Sequence, residues 1–348
     1  MTNKHLYIEA KGKAVKTDKR FEHVMAITLD PRKNYKEGVI RCITSRSGQV
    51  GFSSGQVDRS VLHKVIGKSL NKFEIKEEII IKNQEKIIKQ IQEKDRDFIG
   101  LEDPDIWIDE KTTLLHLYFT IPFIDMSRKK KTQVYLGHAF GKDLDNLEMT
   151  PPVLMLDKKG GAKEVSIVPL NKKGFRANLV ESSEIINGTY YSTVRVAIAK
   201  DMEKTWKFGA VVFHPAHNSL RWIAGHASPG PLFSKNFIDI GEGKLLGIVN
   251  GCEANKKIGK KIKLGTFSVG LFIYDYEKGK IDWVSPQPFI KDSEAGKSTN
   301  RAITFASQFV ETKKGEGILY AHVDDSFVRA YKLEAKKIKG ILPPQYFK

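Results

Sequence analysis

The chain has 348 residues, 41% hydrophobic and 28% charged, enough to bury a large core. No apolar run reaches the roughly 18–20 residues that cross a bilayer as a helix, and the start lacks the uninterrupted apolar core of a secretory leader; two cysteines, Cys42 and Cys252, are too few for a disulfide framework or a cysteine-rich zinc site. The net charge of +17 raises nucleic acid as a partner, but the lysines are spread through every segment, with short clusters only at 128–131 and 256–263, and the aromatics sit inside strand-like runs. The expectation is a cytoplasmic protein with reduced thiols that meets neither membrane nor nucleic acid.

In chain order, short runs of β-branched and aromatic residues at 24–29, 38–44, 114–120, 134–139, 189–199, 210–213, 244–250, 268–276 and 317–323 read as strands. Turn signals such as Asn187-Gly188 and Gly241-Glu242-Gly243 separate them, as hairpins require. One helix is expected at 83–94, where Ile87, Ile88 and Ile91 share a face among Lys, Glu and Gln. It reads as an insertion between two sheets, packed on their rim or on a neighbouring copy, so a homo-oligomer is left open.

Lys68-Ser69-Leu70 followed by Phe73, Lys142-Asp143-Leu144 followed by Leu147, and Lys200-Asp201-Met202 followed by Trp206 each come just after a strand candidate. The last two lie roughly 60 residues apart and the first gap is longer by about the helical insertion, a period that suits a four-stranded propeller blade and divides the chain into about five. The expected fold is therefore all-β: one domain over 1–348, a five-bladed β-propeller with a helical insertion near 83–94 and peripheral terminal segments.

The stretch that organises the rest is Gly100-Leu101-Glu102-Asp103-Pro104-Asp105-Ile106, three carboxylates around a proline at the start of an apolar strand. Proline restricts the residue before it, so Asp103 is expected on stiff, extended backbone. Further carboxylates precede strands in later units: Glu181 and Glu184 before Tyr190 and Tyr191, then Asp239 and Glu242 before Leu245. If the first strand of each blade lines the axis, these groups converge on one acidic pocket.

These residues resemble glycoside hydrolase family 130, the β-mannoside phosphorylases and related mannosidases. Residues 100–106 resemble its second-blade Glu-Asp-Pro-Arg motif, and Ser183-Glu184-Ile185-Ile186-Asn187-Gly188-Thr189-Tyr190-Tyr191 is similar to its Pro-Glu-x-x-Gly-x-Tyr blade. The segment 230–251 resembles its Gly-rich strand leading to Tyr-His-Gly, and Ile303-Thr304-Phe305 with 319–326 its closing segments. The matches keep their order from about residue 20 to about 335. Family 43 propellers are a second choice, since their second-blade Asp and third-blade Glu resemble Asp105 and Glu181 or Glu184.

The resemblance implies a glycosidase cleaving a β-mannoside or related oligosaccharide with inversion, an acid serving the leaving oxygen and a base activating water on the other face of the sugar. Asp103 is the expected acid, Glu184 the preferred base, and Glu181 its alternative, since residues three apart on a strand face nearly opposite ways. Glu102, Asp105, Arg41, Arg195, Asn250, Asp324 and Asp325 are the expected sugar-binding set. Asp105 stands where the family has Arg, Asn250 where it has His, and Ala177 where the phosphorylases usually have Lys, and a phosphate dianion needs several converging cations. Hydrolysis is therefore expected over phosphorolysis, with inorganic phosphate a co-substrate only in the second case and no cofactor or metal. The alternative is an inactive propeller that binds carbohydrate or a protein partner.

Overall fold

The computed structural model of the chain describes residues 6–17, 19–48, 57–125, 132–157, 160–259, 261–297 and 299–347. The basic cluster at 128–131 lies outside them.

Twenty of the 25 strands among the described residues pair into five antiparallel groups of four, and the other five are short edge or hairpin strands. The first holds His23–Leu29, Glu37–Ser47, Val57–Ser69 and Lys72–Glu78. The second holds Glu102–Ile108, Leu115–Asp125, Thr132–Gly141 and Leu147–Leu154. The third holds Lys163–Ser166, Arg176–Ile186, Thr189–Ala199 and Lys207–Phe213. The fourth holds His226–Leu232, Lys244–Cys252, Phe267–Asp275 and Lys280–Val284, and touches the third through a single parallel bridge, Ser192 to His226. The fifth takes Thr304–Lys313, Glu316–Val323 and Phe327–Glu334 from the end of the chain and Tyr7–Glu9 from its start.

The first strand of each group contacts the first strand of the next, and that of the fifth returns to that of the first. This closed cycle makes the groups the blades of a β-propeller and their first strands the lining of its axis. The apolar core follows the same plan, since each major cluster lies between two neighbouring blades. In Leu115–Asp125, Leu115, Leu117, Phe119, Ile121 and Phe123 pack with Val39 and Leu62 of blade 1. On the other face Tyr118 packs with Val165, Val180 and Trp206 of blade 3. The two-residue period of the strand thus serves two interfaces, and the whole run reads as apolar because both faces are covered.

The ring is closed by joining the two ends of the chain in blade 5. Arg329 on its third strand pairs with buried Asp292 at 2.6 Å, which also accepts a hydrogen bond from Tyr331 Oη at 2.5 Å. The expected helix forms as Gln84–Ile91, and its buried Ile87 and Ile88 join the cluster between blades 1 and 2, so it packs on the propeller's own rim. A short helix at Ala335–Lys339, with Ile338 buried against blade 5, has no counterpart in the expectation. No helix among the described residues is long and apolar enough to cross a membrane.

Candidate functional site

All five axial strands break register at the same level. The irregularity falls between Met25 and Thr28 in blade 1, across Glu102 to Asp105 in blade 2, between Lys163 and Val165 in blade 3, between Pro229 and Leu232 in blade 4, and between Ala306 and Gln308 in blade 5. Such bulges turn a side chain out of the pleat. At three of them a non-glycine residue takes the left-handed conformation: Ala26 with φ 50°, Asp103 with φ 48° and Glu164 with φ 50°. Asp103 is therefore not extended as its proline neighbour suggested, because the bulge overrides the local preference. Gly100 (φ 111°) sets up this turn, since a Cβ there would sit 1.8 Å from the Ser60 carbonyl oxygen of blade 1.

Asp103 and Glu164 are thus equivalent residues of neighbouring blades, held on strained backbone at the waist of the axis. On the face where the axial strands begin, a cavity of about 320 Å³ opens above them. Every blade contributes to its wall, including Arg41 and Asp58 from blade 1, Glu102 and Asp103 from blade 2, Lys163 and Glu164 from blade 3, His226 and Phe267 from blade 4, and Phe305, His322 and Asp325 from blade 5.

Arg41, 7% exposed, forks across two of these carboxylates, donating from Nη1 to Asp103 Oδ1 at 2.9 Å and from Nη2 to Glu102 Oε1 at 2.5 Å. Burial pushes Glu102 up to about 7 against the pull of Arg41, with the Asp103 charge adding to the rise. Burial and Asp103 likewise push Glu164 well above the usual carboxylate range, further than the adjacent Lys163 can draw it back. The site so places Asp103 and Glu102, both held by the Arg41 guanidinium, beside the Glu164 carboxyl, which burial and charge push up.

Glu181 lies behind this wall. It is 2% exposed, with Lys163 Nζ at 3.4 Å and His226 Nε2 at 3.3 Å. Burial opposes its charge, but His226 and Lys163 hold it at about 2, so it is a fixed counter-ion. Glu184 stands on the same second strand of blade 3, outside both axial cavities, with His214 Nε2 at 3.7 Å. Asp239 and Glu242 sit in the turn at the opposite end of blade 4, where Asp239 caps Gly241 and Glu242 pairs with Lys172 at 2.6 Å. The expected convergence fails for these four: Glu181 and Glu184 stand on a second strand, Asp239 and Glu242 in a turn at the far end of blade 4, and none of them lines either cavity.

The expected sugar-binding residues divide similarly. Arg41, Glu102 and Asp325 line the mouth cavity; Asp325 pairs with His322 Nε2 at 3.2 Å, and although burial opposes its charge, that partner holds its carboxyl below the usual range. Asp105 faces a second cavity below the waist, where burial pushes it up to about 7. Arg195 is drawn to Asp157 at 2.7 Å and lies over the Phe208 ring, away from both cavities. Asp324 is 1% exposed and accepts hydrogen bonds from the backbone of Gly296 and Ile303, shaping the entry to blade 5.

Asn250, also outside both cavities, is wholly buried and bridges blades, donating to the Ala306 carbonyl at 3.0 Å and accepting from its N–H at 2.8 Å. Asn250→Ala orphans both backbone groups at the blade 5 bulge, with an expected loss of about 2–4 kcal/mol in urea unfolding.

The sequence reading missed Lys163, Glu164, His226, His322, Asp58 and Phe305. A signal for Glu164 was present in the repeat, because Ala26, Asp103 and Glu164 lie 42, 39 and 36 residues before Lys68, Lys142 and Lys200. The axial strand of blade 3 is only four residues long, Lys163–Ser166, which hides it from any search for apolar runs.

No family model and no curated protein sequence matches the chain. Among solved structures, a putative glycosidase from Bacteroides thetaiotaomicron superposes with a TM-score of 0.67 at 16% identity, covering 94% of this chain and 96% of that one. A β-1,2-mannobiose phosphorylase from Listeria innocua, solved with β-1,2-mannobiose, gives 0.63 at 12% identity over 98% and 97%. A thermostable family 43 glycoside hydrolase gives 0.51 at 14% identity over 89% and 88%. The chain therefore has the β-propeller fold found among glycosidases and glycoside phosphorylases, the two groups its motifs resemble.

Proposed function

We propose that the chain is a carbohydrate-active enzyme that cleaves a β-mannoside or related oligosaccharide, by hydrolysis with inversion. The observation that carries this reading is the pair Asp103 and Glu164, presented by matching bulges at the floor of a cavity within the size range of small-ligand sites. Glu164, which keeps its proton, gives it to the glycosidic oxygen as the bond to the anomeric carbon breaks. Asp103, charge-paired with Arg41, takes a proton from the water that attacks that carbon. This exchanges the acid's role expected of Asp103 for the base's, because burial and the neighbouring Asp103 raise the Glu164 carboxyl well above the usual range and suit it to donate. Asp325 and Glu102 supply acceptors for sugar hydroxyls.

Hydrolysis is favoured by the charges that line the cavity. Arg41 is engaged by Glu102 and Asp103, Lys163 lies beside Glu181, and Arg301 donates to the Gly265 carbonyl and the Cys252 sulfur at 3.0 Å each. A phosphate dianion entering here meets Asp58, Glu102, Asp103, Glu164 and Asp325. Incubation with a panel of β-mannosides, with and without inorganic phosphate, is expected to release free mannose at a rate that phosphate does not raise. Sugar 1-phosphate as the product overturns the hydrolytic part, and no product from any glycoside overturns the reading.

A further inference from the structure

Below the waist, on the face opposite the mouth, lies a second cavity of about 160 Å³, walled by the far halves of the axial strands of all five blades. It shares two lining residues with the mouth cavity, and they are Asp103 and Glu164. We infer that this far cavity is the water side of the active site: the attacking water reaches Asp103 through a compartment separate from the one the glycoside enters. The inference rests on the proposed hydrolysis and adds a route to it.

Size and lining both point this way. The mouth cavity falls within the range of about 300–1,000 Å³ typical of ligand sites, and the far cavity falls below it. At about 30 Å³ per molecule it holds several waters, and Asp105, Ser166 and Gln308 give them the polar partners that a wet cavity requires. An inverting reaction needs its water on the face of the sugar away from the leaving group, and a sugar seated over the waist turns one face toward this compartment.

The proton balance closes within the same space. Water adds its oxygen to the anomeric carbon, the glycosidic bond breaks, Glu164 loses its proton to the leaving oxygen and Asp103 gains one from the water. Returning that proton from Asp103 to Glu164 resets the site, and both residues line the far cavity. Asp105, two residues from Asp103 and pushed by burial to about 7, can take up and return a proton near neutral pH on this path.

The experiment narrows the far cavity and leaves the mouth alone. Ser307 lies at the blade 5 bulge, donating from Oγ to the Ile27 carbonyl at 3.0 Å. Ser307→Leu fills the space, and Ser307→Ala removes the same hydrogen bond without filling it. On a turned-over β-mannoside, Ser307→Leu is expected to lower kcat at least about tenfold with KM within about twofold, while Ser307→Ala stays within about threefold of the unsubstituted enzyme in kcat. Ile167→Phe fills the same cavity from the blade 3 wall and serves if Ser307→Leu does not fold.

A second reading uses Asp103→Gly, which suits φ 48°, with azide as the nucleophile; glycosyl azide is expected, and its formation is lost when Ser307→Leu is added. Unchanged kcat with the cavity filled, equal losses in the Leu and Ala variants, or glycosyl azide formed as fast in the double variant overturns the route. Absence of turnover by the unsubstituted protein overturns the hydrolytic reading and the route together, whereas turnover insensitive to Ser307→Leu overturns the route alone.

Discussion

Glu164→Gln is expected to lower kcat/KM on an unactivated β-mannoside by about 10²–10⁴-fold and to spare much of the activity on a dinitrophenyl mannoside, whose leaving group departs without a proton. Asp103→Asn is expected to lose activity on both, because neither substrate relieves the need to activate water. The asymmetry follows from the environments of the two side chains. Burial and the Asp103 charge push Glu164 well above the usual carboxylate range, while Asp103 accepts a hydrogen bond from the Arg41 guanidinium at 2.9 Å. Activity on the unactivated substrate should fall as pH rises through the elevated Glu164 value, and that alkaline limb should be absent on the activated substrate, which needs no proton. If Asp103→Asn is the variant rescued by the activated substrate, the two roles are reversed and Asp103 is the acid.

Arg41→Met is expected to destabilise the protein by about 3–5 kcal/mol and to abolish turnover. Arg41 is the shared partner of Glu102 and Asp103, and removing one side of a buried ion pair leaves the other uncompensated. The loss should depend on pH in a definite direction. Burial already raises Glu102 to about 7, so between its unfolded value near 4.3 and about 7 the folded state binds more protons than the unfolded state. Stability from this group is therefore greatest below about pH 4 and declines as pH rises toward 7. Without Arg41 the Glu102 carboxyl is raised further, so the decline extends to higher pH. Urea unfolding of Arg41→Met at pH 5 and pH 8 should show the larger deficit at pH 8; equal deficits would mean that the guanidinium stabilises by packing alone.

Much of this architecture was legible because blade interfaces leave a strong mark on sequence. A strand such as Leu115–Asp125, covered on both faces, becomes an unbroken apolar run, and the Lys-containing repeats mark the ends of third strands. Asp103 was legible for a different reason, since three carboxylates crowd around Pro104 in a recognisable motif, although the extended backbone expected there gives way to the bulge. Glu164 was not, because its strand is short and its significance lies in a left-handed φ that sequence does not print. Glu181 and Glu184 drew attention by preceding tyrosines, but neither lines a cavity, and Glu181 is buried against Lys163 and His226. Asn250 illustrates the same limit. Its place in a motif suggested a ligand contact, whereas its two hydrogen bonds to Ala306 make it a latch between blades.

The most direct measurement is a crystal structure of Glu164→Gln, folded but slow, soaked with a β-linked mannobiose. The disaccharide should occupy the mouth cavity with its glycosidic oxygen within hydrogen-bonding reach of the residue at 164 and the opposite face of the cleaved ring turned toward Asp103. A disaccharide bound on another surface, or bound in the mouth with both carboxyl positions out of reach of the glycosidic bond, would contradict the assignment of these residues to bond cleavage.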